Sequence, residues 1–357
     1  MGIADGKEMV DVKRKARLNA LNELRGQTLG VDINLWLYDL IRGNKTMLMK
    51  LFMDPVQDIT FELHAELEKR CSILRSSGIS LVFVFDGVPN PRKAATNAKR
   101  KEDAAKALLK LKLLLRDTVD AENKDIISLA NSALRIDEDI TSKTIHYCRR
   151  KSIPFIQAAF EADPQLFMLE KQGIIDGIIS EDSDYIYLGC KVFVCDTIFK
   201  IEEGVMNCNI VRNDNIIQLL KEKFQDDKEF IVSEDLALLG TLLGSDFYKF
   251  DTIYRCGPKK AIEIMTEYAL QKTESKMNID SLVTIVKGHL SSWGSPIEVN
   301  NFKLGVHSLL YGVCWSIESQ SSATSARDVR YRGKVPRLTA MSFVLPVCLH
   351  LEWIDMM

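Results

Sequence analysis

No stretch of this sequence offers the roughly 18 consecutive apolar residues that a membrane-crossing helix requires. Its opening residues are polar and charged, unlike a secretory leader. Met1-Gly2 begins like a myristoylation signal but has Gly6 where Ser or Thr is required. No membrane association is expected. The eight cysteines, at positions 71, 148, 190, 195, 208, 256, 314 and 348, form no Cys-x-x-Cys pair, and several sit within apolar runs. That argues against a disulfide framework or a zinc site and for reduced, buried thiols in a cytosolic or nuclear protein. An excess of charge of one sign is also missing: 47 Lys and Arg against 49 Asp and Glu leave a formal net charge of −2. Any nucleic-acid surface must therefore be local. There is no internal repeat.

What is present is an ordinary globular composition, 46% hydrophobic and 27% charged over 357 residues, enough for one large domain or two medium ones. Its most informative stretch holds two acidic pairs within 24 residues, Glu161-Ala162-Asp163 and Asp182-Ser183-Asp184. Between them the pattern predicts a helix and then a buried strand within residues 173–180, leaving the second pair just past the strand's C-terminal end. Residues 28–35 read as a short buried strand ending near Asp32. Residues 58–77 have helical spacing closed by Gly78, and residues 80–85 form a β-rich run that stops at Asp86-Gly87. Residues 153–157 and 191–195 add two more short strands. An acid after successive strands marks a parallel α/β sheet, whose ligands bind beyond the carboxyl ends of the strands.

Residues 92–150 interrupt this alternation with nearly continuous helix-forming sequence. Between Arg92 and Lys112 stand eight basic residues (Arg92, Lys93, Lys99, Arg100, Lys101, Lys106, Lys110 and Lys112) against Glu102 and Asp103, a local excess of six. Such a run alone is most often a solvated helix face. Directly after Asp86 it is also a candidate phosphate surface. Residues 234–270 read as helical, with a turn at Gly244-Ser245-Asp246 and a second helix opened by Gly257-Pro258-Lys259-Lys260. A Gly-Pro start leaves backbone N–H groups free to face a phosphate, although an ordinary capped helix reads the same way.

Carboxylates gathered at strand ends without neighbouring His or Cys suit hard cations, Mg²⁺ or Mn²⁺ above all. Two such ions about 3.5–4 Å apart can clamp a phosphodiester and lower the pKa of a bound water. Asp32, Asp86, Glu161, Asp163, Asp182, Asp184 and Asp246 supply seven carboxylates, each at a strand end, loop or helix terminus. Any one alone reads as a cap or turn residue. The seven together do not. Without metal, their crowding would raise their pKa values.

The segment Phe160-Glu-Ala-Asp-Pro-Gln-Leu, then Gly173-Ile-Ile-Asp-Gly-Ile-Ile-Ser-Glu-Asp-Ser-Asp and Leu188-Gly-Cys, resembles the internal nuclease region of the XPG/flap-endonuclease family of structure-specific 5′ nucleases. Glu-Ala-Asp, where flap endonucleases carry Glu-Ala-Glu, and Glu-Asp-Ser-Asp…Gly-Cys are most similar to the exonuclease 1 branch. Met1-Gly2-Ile3, Gly30-Val31-Asp32, Val84-Phe85-Asp86-Gly87 and Leu243-Gly244-Ser245-Asp246 match further family landmarks in order, so the resemblance covers roughly residues 26–270. It implies an α/β fold, a central mainly parallel sheet flanked by helices in a PIN-like nuclease core, with a helical arch and a C-terminal helix–turn–helix DNA-binding element. The implied organisation is an N-terminal nuclease region at 1–91, a basic arch at 92–140, an internal nuclease region at 141–233, a duplex-binding region at 234–315 and a divergent tail at 316–357.

Carried onto this sequence, the resemblance implies that all seven acids hold or position two Mg²⁺ ions, for which Mn²⁺ can substitute. Lys93 and Arg100, seven residues apart and so on one face of a helix, match the pair that neutralises charge on the scissile phosphate. Tyr38 matches a base-stacking position, though a plain helix-face aromatic reads alike. Gly2 matches the glycine near the DNA junction. Arg92 and Lys99 would add arch contacts to DNA. Gly244, Gly257, Lys259 and Lys260 fall in the element that grips duplex backbone, in the family with a bound K⁺.

The sequence also departs from the family. Ala4-Asp5-Gly6-Lys7 and the basic residues 13–17 intervene where an apolar helix is expected, and one hairpin glycine is replaced at Arg255-Cys256-Gly257, weakening the K⁺ expectation. No Gln-x-x-aliphatic-x-x-aromatic-aromatic tail motif supports sliding-clamp docking.

The leading expectation is a monomeric, nuclear 5′→3′ exonuclease and flap endonuclease of DNA repair or replication. Its partners would be DNA 5′ ends, nicks and flaps, with neither a membrane nor a small-molecule substrate. Two alternatives remain open: a single-strand RNA nuclease on the same sheet, and a catalytically inactive relative that binds nucleic acid or protein.

Overall fold

The computed structural model describes residues 21–53, 58–117, 123–226, 229–245, 248, 256–290 and 293–310. Six strands form one sheet: β1 (Thr28–Asp32), β2 (Ser80–Phe85), β3 (Phe155–Gln157), β4 (Gly177–Ile179), β5 (Val192–Lys200) and β6 (Val205–Arg212). Their order is β3-β2-β1-β4-β5-β6, parallel throughout except for β6, which runs antiparallel to β5. The four described parallel pairings need crossover connections, which helices supply. These are α1 (Ile33–Gly43), α2 (Lys45–Met53), α3 (Thr60–Ser76), α4 (Ala94–Asp117), α5 (Lys124–Ala133), α6 (Glu138–Arg150), α7 (Ala162–Lys171) and α8 (Asp184–Leu188). After the sheet come α9 (Asn213–Lys223), α10 (Asp235–Leu243), α11 (Pro258–Gln271), α12 (Ile279–His289) and α13 (Pro296–Leu310).

Both faces of the sheet are covered, so its strands alternate between two apolar cores instead of between core and water. Leu81, Phe83 and Phe85 of β2 point into the core shared with α1, α3 and α6, while Val82 and Val84 point into the one shared with α7 and α10. Gly30 lets α7 approach β1: a side chain there would meet the buried tips of Leu166 and Ile175. The exposed surface of α4 carries Lys99, Lys101, Lys106, Lys110 and Lys112, so this part of the basic run is a solvated helix face.

Most predicted strands are found within a few residues of their expected limits. The strand expected over 28–35 stops at Asp32, because that residue turns the chain and caps α1, its Oδ1 accepting from the Leu35 N–H at 3.2 Å. The β6 strand was not anticipated. Its signal is the alternation of buried Met206, Cys208 and Ile210 with half-buried Asn207 and Asn209. The six described cysteines are all buried, as expected. Among the described residues no helix is long and apolar enough to cross a membrane.

Candidate metal centre

Parallel register places successive strand ends side by side. Asp32 is in register with Val84, one pair short of Phe85, which is in turn in register with Gln157. Asp86 follows β2 directly, and on the other side of β1 the chain leaves β4 at Ile179 toward Asp182. Between β1 and β4 the strand order reverses, the position where open α/β sheets form a ligand crevice. Glu161 is the N-cap residue of α7 and Asp163 lies in its first turn; Asp184 opens α8 and is buried.

The acids sense one another. Burial holds Asp32 well above the ordinary carboxylate range, and the charges of Asp86, Asp163 and Asp182 push it further against one backbone hydrogen bond from Leu35. Asp86 opens on the cleft mouth, yet the walls around its carboxyl withdraw enough water to raise it. Its two oxygens are fixed, Oδ2 accepting from the Asn34 side-chain amide at 2.6 Å and Oδ1 from the Ala162 N–H at 2.9 Å. Glu161 is raised by burial, against the pull of Lys93, whose buried Nζ lies 2.9 Å from its Oε2. The Asp182 Oδ1 accepts from the Asp184 N–H at 3.0 Å, which ties the second acidic pair into one turn.

Two participants were not anticipated from the sequence. Asn34, in the first turn of α1, supports Asp86. Tyr185 is fully buried, and Asp163, Asp32 and Asp182 are near enough to raise its pKa on top of burial. An Asp-x-Asn spacing at a helix start and a tyrosine directly after an Asp-x-Asp were the available signals.

Arg100 lies half-buried on α4, where its carbonyl accepts from the Arg135 guanidinium. Lys93, however, closes a 3₁₀ turn at Pro91–Lys93 ahead of α4, so two α-helical turns do not set its relation to Arg100. Tyr38 is half-buried, with the Arg42 guanidinium 5.1 Å over its ring and its hydroxyl accepting from the Ile136 N–H at 3.3 Å. Gly244 ends α10 with φ 95°, a conformation favouring glycine. Gly257 caps α11, on which Lys259 is exposed and half-buried Lys260 pairs with Glu263 at 3.0 Å. Gly2, Asp246, Arg255, the side chain of Arg92 and the tail from 311 lie outside the described residues.

The donor set fits a hard divalent cation. Every group is an oxygen donor, and one buried polar atom, Asn34 Oδ1, has no partner among the described residues. Among the described residues no three acids close around a single point as they stand. Like charges without a cation between them repel.

Residues 1–107 match the model of the XPG N-terminal domain and residues 152–246 that of the XPG I-region, together more than half of the chain. The chain belongs to the XPG nuclease family. Among XPG relatives, exodeoxyribonuclease 1 of Schizosaccharomyces pombe is 30% identical over 72% of this chain and 41% of its own length. The DNA damage-inducible protein DIN7 of Saccharomyces cerevisiae is 28% identical over 73% of this chain and 56% of its own length. The chain thus spans about half the length of these curated XPG relatives. The catalytic core of Rad2 in complex with DNA substrate shares the fold, at a TM-score of 0.55 and 19% identity over 85% of both chains.

Proposed function

We propose that this chain is a Mg²⁺-dependent, structure-specific 5′ nuclease that hydrolyses DNA phosphodiesters, as a 5′→3′ exonuclease on duplex DNA and as a 5′-flap endonuclease. The observation that carries this reading is that Asp32, Asp86, Glu161, Asp163 and Asp182, at strand and helix ends beside β1, lie near enough to act on one another's charge, with buried Lys93 as the paired cation. Asp184 and Asp246 complete the proposed ligand set. Two bound divalent ions would supply a hydroxide-like nucleophile and neutralise the phosphate. The chain's own residues hold the carboxylates in place and, through Lys93 and Arg100, offset charge on the scissile phosphate.

Residues 92–140 would act as a basic arch and residues 234–315 as the duplex-gripping region, fixing position without reading sequence. The Rad2 core with bound DNA substrate and the relatives named exodeoxyribonuclease 1 and DNA damage-inducible protein support DNA as substrate and repair as context. A nuclear location follows from that context.

Incubating the chain with 5′-flap, blunt-duplex and single-stranded substrates, in Mg²⁺ and in EDTA, tests the reading. Cutting of flap and duplex ends in Mg²⁺ alone is expected, leaving a 5′-phosphate. Asp182→Ala should abolish cleavage while nearly preserving DNA binding. Binding without cleavage by the unaltered chain would favour an inactive relative, and cutting of single strands alone would favour the RNA-nuclease alternative.

A further inference from the structure

A carboxylate can only accept hydrogen bonds, so the Asn34 group 2.6 Å from Asp86 Oδ2 must be the amide nitrogen. That fixes the orientation of the amide and turns its oxygen away from Asp86. This oxygen is buried and has no partner among the described residues. A buried amide oxygen without a partner is destabilising, so its retention at a metal cleft calls for a ligand that satisfies it. Asn34 sits two residues beyond Asp32 and on the same helix start, so one turn of α1 touches both the β1 acid and the β2 acid. The Ala162 N–H holds the other oxygen of Asp86 from α7. Asp86 is thereby clamped between two helices, one capped by Asp32 and the other carrying Asp163 in its first turn.

We propose that Asn34 is a positioning residue of the metal centre. Its amide nitrogen orients Asp86, and its amide oxygen accepts from the hydration shell that Mg²⁺ carries in, since this ion gives up its waters reluctantly. This rests on the metal reading of the carboxylate cluster. Groups that orient metal ligands typically contribute about 10- to 100-fold in metal affinity or activity.

The test is calorimetric titration of Mn²⁺ and of Mg²⁺ into the full chain without DNA, for the unaltered protein, Asn34→Ala, Asn34→Ser and Asp86→Asn. Asn34→Ala should weaken divalent binding about 10- to 100-fold and raise the Mg²⁺ concentration giving half-maximal cleavage in step, with KM for DNA at saturating Mg²⁺ little changed. Asn34→Ser, which retains a small donor and acceptor, should recover part of the loss, and it stands in should the alanine variant not fold. Unchanged metal affinity in both Asn34 variants, beside a clear loss in Asp86→Asn, overturns the role of Asn34 alone. Unchanged affinity in all three overturns the metal reading and this proposal with it.

Discussion

Lys93 is the residue whose chemistry the structure alters most. Its ammonium is buried and already engaged with Glu161, so it is a counter-charge of the acidic cleft before it is anything to a substrate. Removing one partner of a buried pair leaves the other uncompensated, at a cost of about 3–5 kcal/mol. In Lys93→Ala the orphaned Glu161 would therefore lower metal-free stability, a loss that divalent ions should partly restore. Arg100 is half-buried on α4. Changing both residues to alanine should slow single-turnover cleavage by at least about 10²–10³, the scale of one lost electrostatic donor, and weaken flap-DNA binding far less. An effect confined to Kd would reduce both to ordinary phosphate contacts. The sequence made the acids legible because each follows a strand and is charged. It could not show the Lys93–Glu161 pair or the Asn34–Asp86 bond, which join residues 68 and 52 positions apart through the folded sheet.

Among the elements, α3 and α6 are joined by a buried polar contact with its own pH dependence. His64 stacks on Tyr147 with ring centroids 4.7 Å apart, and its Nε2 is 3.2 Å from Thr144 Oγ1. That hydroxyl donates to the Ile140 carbonyl at 2.8 Å, so it accepts from His64, whose Nε2 carries a proton. Burial, with Arg150 adding to it, pushes the imidazole from 6.5 down to about 4. The unfolded chain thus binds the proton more readily than the folded one. Stability is fully present above pH 6.5 and is lost as pH falls through about 4, by roughly 3 kcal/mol from this group. The cleft carboxylates, raised by burial, act in the opposite sense, so the variant difference is the informative quantity. Urea unfolding at pH 7 and pH 4.5 should show a smaller acid loss in His64→Gln than in the parent; equal losses would remove His64 from the account. These helices were expected from spacing alone, but a histidine on a helix face carries no mark of whether it is buried. Likewise Gly87 reads only as a turn residue. In the fold a side chain there would meet the Ala158 carbonyl at 2.0 Å, which explains how closely β2 and the loop after β3 bring Asp86 to Glu161.

Over the whole molecule, a net charge of −2 has to coexist with an affinity for a polyanion. The fold separates the charges: carboxylates collect in the crevice beside β1, while exposed lysines line α4 and Lys259 and Lys260 lie in the first turn of α11. With the acids screened by divalent cations, the basic elements govern encounter with DNA. Each phosphate contact to duplex DNA contributes about −0.9 to the slope of log K against log salt. If both α11 lysines contact the backbone, Lys259→Ala with Lys260→Ala should make that slope shallower by about 1.8, equally for flap, nicked and blunt duplexes. Single-turnover cleavage of saturated substrate should change little. Lys260 shares its charge with Glu263, so Lys259→Ala alone should give the larger half of the change. A slope that does not move would place duplex binding elsewhere on the surface and leave the Gly-Pro-Lys-Lys turn as an ordinary helix start. A change limited to one substrate would instead mean that this turn recognises DNA structure and not simply its charge.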